Sequence, residues 1–149
     1  MALALATQAA AQAASGTYTT SEMTEQTTEM EDGGMQQLVH YRFMMRADDS
    51  NVPLHNTGGD CVGLIRISAQ GTPTGGSGSC FNGDGAGSGI TMWWQVTEVG
   101  SADCPLLCGV WDVYDGYGRF EGVTGRGRWM QDADIGMASS GVWEGDLTS

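Results

Sequence analysis

Met35-Gln36-Gln37-Leu38-Val39-His40-Tyr41-Arg42-Phe43-Met44-Met45-Arg46-Ala47 reads as a strand with two unlike faces. Side chains in a strand alternate with period two, so Val39, Tyr41, Phe43 and Met45 share one side and His40, Arg42, Met44 and Arg46 the other. The first side is a core face. The second is a solvated outer face or, alternatively, a polar barrel lumen or an anion-recognising wall.

The same period continues outward from this run. Ile90, Met92, Trp94 and Val96 alternate with Thr91, Trp93, Gln95 and Thr97, so both faces of that strand carry a tryptophan and both are expected to be partly covered. Asp60 to Ala69, Val110 to Tyr114, Arg128 to Gln131 and Ser140 to Leu147 alternate too, and Ser79 to Phe81 reads as a short strand. Thr17 to Met30 is polar and reads as an edge strand or a mobile arm. Asp48 to Gly59, Gly71 to Gly78 and Asp132 to Met137 read as loop or turn. No stretch carries a helical period. Short strands with regular turn signals make a sandwich or a barrel, and closure removes exposed edges. The expectation is an all-β fold, an about eight-stranded, mostly antiparallel β-barrel with disulfides, with residues 16–149 as a single domain.

Composition agrees. Of 149 residues, 24 are glycine and only 3 proline, which fits many tight turns. The net charge is −12 and all six basic residues are arginines. Such a surface repels phosphate backbones and anionic membranes, so no nucleic acid is expected as a partner. Beyond the leader, no segment has the roughly 18 apolar residues that a bilayer span needs.

Residues 1–15 read as the remnant of a secretory signal or a disordered tail, with Ala11-Gln12-Ala13 in the small-x-small form of a signal-peptidase site. An even count of four cysteines beside such a leader points to disulfides and a secreted or periplasmic location. Three pairings are open; the favoured one joins Cys61 to Cys80 and Cys104 to Cys108. Zinc is the rival, but the spacings are wide or x3 and only His40 and His55 could help, so no metal is expected. Asn82, Asp84 and Gly87 partly match a calcium loop, yet Ala86 occupies a ligand position and no carboxylate closes the loop; a tight turn accounts for it better. No G-x-S-x-G elbow and no Walker loop occurs, and no cofactor is expected.

Gly116-Tyr117-Gly118-Arg119-Phe120-Glu121-Gly122-Val123-Thr124-Gly125-Arg126-Gly127-Arg128-Trp129 is the most specific stretch. It resembles the glycine corner of the calycin-like barrels that include dirigent proteins and allene oxide cyclases. That resemblance implies a barrel that holds a flexible apolar substrate in a productive shape, by proximity and orientation. A second set, Gly59-Asp60-Cys61-x-Gly63, Gly78-Ser79-Cys80, Gly83-Asp84-Gly85 and Trp93-Trp94, resembles a group of secreted bacterial proteins of unassigned function, which implies the Cys61–Cys80 bridge.

The candidate ligand-binding residues are Trp93, Trp94, Trp111, Tyr41 and Arg42. The candidate catalytic residues are Asp112, Glu98 and Tyr114, with Asp112 expected to be partly buried and paired with Arg42, Arg66 or Arg119. Three functions remain open: a secreted or periplasmic barrel binding a small apolar or aromatic ligand, an isomerase or cyclase of the allene oxide cyclase or dirigent type, and a structural or envelope interaction module. Oligomeric state is not legible in the sequence.

Overall fold

The computed structural model describes residues 10–135 and 138–149, so residues 1–9 of the segment read as a signal remnant or tail lie outside the described residues. Eight strands follow one another: β1 (Gln12–Glu29), β2 (Met35–Ala47), β3 (Thr57–Ile67), β4 (Pro73–Gly83), β5 (Gly89–Val99), β6 (Leu107–Tyr117), β7 (Thr124–Ile135) and β8 (Ala138–Thr148). Each pairs antiparallel with the next, and β1 pairs with β8, which closes the sheet into an up-and-down barrel. Among the described residues, no helix is long and apolar enough to cross a membrane.

Several boundaries differ from the sequence reading. Gln12 to Ser15, read as leader or tail, are the first residues of β1 and pair with Leu147 to Glu144 of β8. Thr17 to Met30 is neither an edge nor a mobile arm along its first half: β1 is held by β2 on one side and by β8 on the other as far as Ser21. Beyond Ser21 it pairs with β2 alone, so this part of β1 has a free edge, while β2 stays paired with β3 as far as Met35. Gly71 to Gly78 is turn only at its start. Pro73 onward is β4, with Arg66 opposite Gly75 and Gly63 opposite Gly78. Asp132 to Ile135, read as loop, extends β7 after a bulge.

Both favoured disulfides are present. Cys61 and Cys80 are direct cross-strand partners on β3 and β4, and Cys104–Cys108 staples the β5–β6 loop.

One end of the barrel is plugged. Leu54 from the β2–β3 loop and Phe120 from the 3-10 turn Gly118–Phe120 are fully buried there with Ile90, and Val52, Val123 and Leu147 are buried around them. The corner is tied to the β4–β5 loop through Asp84. One Asp84 oxygen accepts the backbone N–H groups of Ala86 and Ser88, and the other accepts Arg119 Nε at 2.7 Å. The Ala86 N–H, then those of Ser88 and Arg119, hold the Asp84 carboxyl below its ordinary value against an opposing effect of desolvation. The tight-turn reading of this loop therefore stands, with Asp84 as its organiser. The opposite end, where the β1–β2, β3–β4 and β5–β6 connections lie, opens into the lumen.

Candidate functional site

The lumen is built from an aromatic–glycine rule. Across neighbouring strands, Trp94 faces Gly78, Trp111 faces Gly127, Trp129 faces Gly109, Trp143 faces Gly16, Tyr18 faces Gly141 and Phe43 faces Gly59. The interior of an eight-stranded barrel is narrow, so a large ring needs an empty place beside it. The glycines provide it. A Cβ on Gly145 would lie 2.5 Å from Cζ2 of Trp111, and one on Gly141 would lie 2.6 Å from the Tyr18 ring.

Three of the indoles are fixed by hydrogen bonds as well. Trp111 Nε1 donates to the Arg128 carbonyl, Trp129 Nε1 to the Val110 carbonyl and Trp143 Nε1 to the Thr17 carbonyl, at 3.1–3.2 Å. Trp94 differs: its Nε1 is buried without an acceptor among the described residues. Edge-on contacts link Trp94 to Trp129 and Trp111 to Trp143, and Tyr18 packs on Phe43.

Above the plug the rings leave a cavity of about 530 Å3. Tyr18, Tyr41, Phe43, Met92, Trp94, Trp111, Trp129 and Trp143 wall its depth. Its mouth is two-sided. Ile65, Ile67, Pro73, Val99, Leu106 and Leu107 form an apolar lip, with Leu106 carried on the stapled loop. Thr20, Gln37, Gln131, Asp134 and Ser139 form a polar one, where Thr20 and Ser139 share a 2.7 Å hydrogen bond.

Burial pushes the Tyr18 phenol well above its usual value, and the negative charge of Asp132 pushes it further. Burial does the same to Tyr41, with Tyr18 adding to it. Both phenols stay protonated and can donate a hydrogen bond throughout the physiological range.

The expected site residues divide cleanly. Tyr41, Trp94 and Trp111 line the lumen. Trp93 borders the cavity but stands in the outer row, opposite Ser79 and Asp112. Arg42 is exposed on the outer face of β2, so the polar-lumen alternative for that face is corrected: Val39, Tyr41, Phe43 and Met45 point inward instead.

The expected catalytic trio is not assembled. Asp112 is exposed rather than partly buried, because Trp111 and Val113 take the inward positions on either side of it. None of Arg42, Arg66 and Arg119 pairs with it; Arg119 is held by Asp84. Tyr114 is 60% exposed beside a bulge on β6. Glu98 is exposed and accepts a hydrogen bond from Ser101 in the stapled loop, whose hydroxyl in turn accepts the Cys104 N–H.

Tyr18, Phe43, Gln37 and Gln131 were missed as lumen residues. The signal was present for Tyr18: Gly16-x-Tyr18 has the same glycine–aromatic spacing as Gly127-x-Trp129 and Gly141-x-Trp143. Among the described residues, no group of three or more His, Cys, Asp or Glu side chains is placed to hold a metal ion.

No protein-family model matches the chain. No curated protein matches it either. Among solved structures it is similar to the pterocarpan synthase dirigent protein GePTS1, with a TM-score of 0.50 and 12% sequence identity over 99% of this chain and 94% of that one. At that identity the likeness is one of fold. It agrees with the dirigent resemblance read in Gly116 to Trp129; no match supports the group of secreted bacterial proteins.

Proposed function

We propose that the barrel takes a small, largely aromatic molecule into its lumen and holds it in one orientation, as a dirigent-type container. The observation that carries this reading is the cavity of about 530 Å3, open at one end and walled by aromatic rings. A barrel filled solid by side chains would instead favour the structural or envelope module. The phenols of Tyr18 and Tyr41 would donate to oxygen atoms of the bound molecule. Two disulfides support an oxidising compartment, and we place the protein outside the cytoplasm, secreted or periplasmic.

Tryptophan fluorescence of the oxidised protein, titrated with a panel of flat aromatic and apolar compounds, tests the reading. The expected result is a saturable change that Trp94→Ala weakens and Trp93→Ala retains, each variant keeping its far-UV circular dichroism. No saturable change with any member of the panel, or equal loss in both variants, would overturn it.

The isomerase or cyclase reading is favoured by the similar dirigent fold and by the inward tyrosines. Such a reaction would rest on orientation by Tyr18, Tyr41, Gln37 and Gln131 rather than on Asp112, Glu98 or Tyr114. Turnover that falls in Tyr41→Phe and is unchanged in Asp112→Asn is the expected pattern; the reverse pattern would exclude it.

A further inference from the structure

The charge pattern around the lumen narrows the class of molecule it would take, an inference that rests on the lumen reading above. None of the six arginines lines the cavity. Arg42, Arg46, Arg66, Arg126 and Arg128 are exposed on the strands, and Arg119 is bound to Asp84 at the plugged end. Both histidines are also elsewhere. His40 contacts Asp60 on the outer wall, and His55 Nδ1 lies 2.8 Å from the Ala47 carbonyl in the β2–β3 loop.

The polar lip carries the opposite sign. Asp134 lines the mouth opposite Ser139, and among the described residues it is the one charged residue that lines the cavity. Glu25 pairs with Val39 and so shares its inward row, and its Oε1 accepts a hydrogen bond from Nε2 of the mouth residue Gln37 at 2.6 Å. Asp132 is close enough to the Tyr18 phenol to oppose its ionisation. The depth of the cavity offers π faces instead of charges, with Tyr41, Phe43, Trp94 and Trp129 among its walls.

We propose that the lumen selects a cationic amphiphile, an aromatic or apolar body that lies among Tyr41, Phe43, Trp94 and Trp129 with a protonated amine at the mouth against Asp134. A carboxylate at the same place would meet the negative charges of Asp134 and Glu25, and no arginine or histidine lines the cavity to offset them. An ammonium meets attraction from the rim, and the π faces beneath it are also favourable to a cation. A neutral alcohol of the same shape falls between the two.

Isothermal titration calorimetry of the oxidised full chain with three matched probes tests this: a naphthylethyl ammonium, the corresponding naphthylethyl alcohol, and naphthylacetate. The expected order of affinity is ammonium, alcohol, carboxylate, with about tenfold or more between the ends at low salt. Asp134→Asn should narrow that span. Asp112→Asn, which removes the same charge from the outer face, should leave it unchanged. Equal affinities, or tightest binding of naphthylacetate, would overturn the charge selection and leave the lumen reading standing. Equal effects of Asp134→Asn and Asp112→Asn would trace the preference to net charge and remove Asp134 from the proposal. Binding of none of the three would count against the lumen reading itself, and the selection would fall with it.

Discussion

Gly78 and Trp94 face each other across β4 and β5, and a Cβ on that glycine would lie 2.6 Å from Cζ2 of the indole. The same Cβ would also press on the backbone of Val62 and Gly63. The ring therefore occupies space that only glycine leaves free, and its position fixes one wall of the cavity.

Gly78→Ala should then act as an overpacking substitution. We expect a loss of about 1–3 kcal/mol of stability in urea denaturation, and weakened binding of any lumen ligand because the indole must tilt into the cavity. Unchanged stability together with unchanged binding would show that Trp94 has room to spare.

The plug predicts the opposite separation. Phe120 is fully buried at the closed end and does not border the cavity. Phe120→Ala should cost about 3–5 kcal/mol, yet ligand affinity measured below the lowered melting temperature should persist. Loss of affinity in the folded variant would mean that the two ends of the barrel are coupled.

Both lumen tyrosines should resist alkali. Their phenols are raised above 10.0, chiefly by burial, whereas in the unfolded chain they ionise near that value. The stability they contribute is thus fully present below pH 10 and is lost as pH rises from there toward their folded values. In folded protein at about pH 10.5, Tyr18→Phe and Tyr41→Phe should leave the tyrosinate absorbance unchanged. A drop in either variant would show that phenol to be ionised.

The two disulfides should differ in what they protect. Cys61 and Cys80 join β3 to β4 across a separation of 19 residues, whereas Cys104 and Cys108 are separated by 4. Replacing the first pair by alanine should cost about 3 kcal/mol, and the second about 2 kcal/mol. Ligand binding should rank the other way, because the second bridge holds the loop that places Leu106 at the mouth. Equal binding losses in the two double variants would remove the stapled loop from the site.

Much of the barrel is legible in residue order because a wall one residue thick obeys period two. Val39, Tyr41, Phe43 and Met45 on β2, and Ile90, Met92, Trp94 and Val96 on β5, all point inward as the alternation requires. β4 escapes that reading. Pro73-Thr74-Gly75-Gly76-Ser77-Gly78 has the composition of a turn, and it becomes a strand because its glycines receive Trp94 and Ile65 from the neighbouring strands.

The candidate site divides along the same line. Alternation alone puts Tyr41 and Trp94 on core-facing rows, and it separates Asp112 from Trp111. It does not say whether a covered face meets packed side chains or an empty lumen, because that depends on barrel diameter and on which ring lies over which glycine. Closure decided those matters. By pairing β1 with β8 it set Trp143 opposite Gly16 and Tyr18 opposite Gly141, turned Arg42 and Asp112 to the outside, and left Asp134 at the rim of an aromatic cavity. The period of each strand is a local property of the chain, whereas the register between strands distant in sequence is fixed only when the sheet closes on itself.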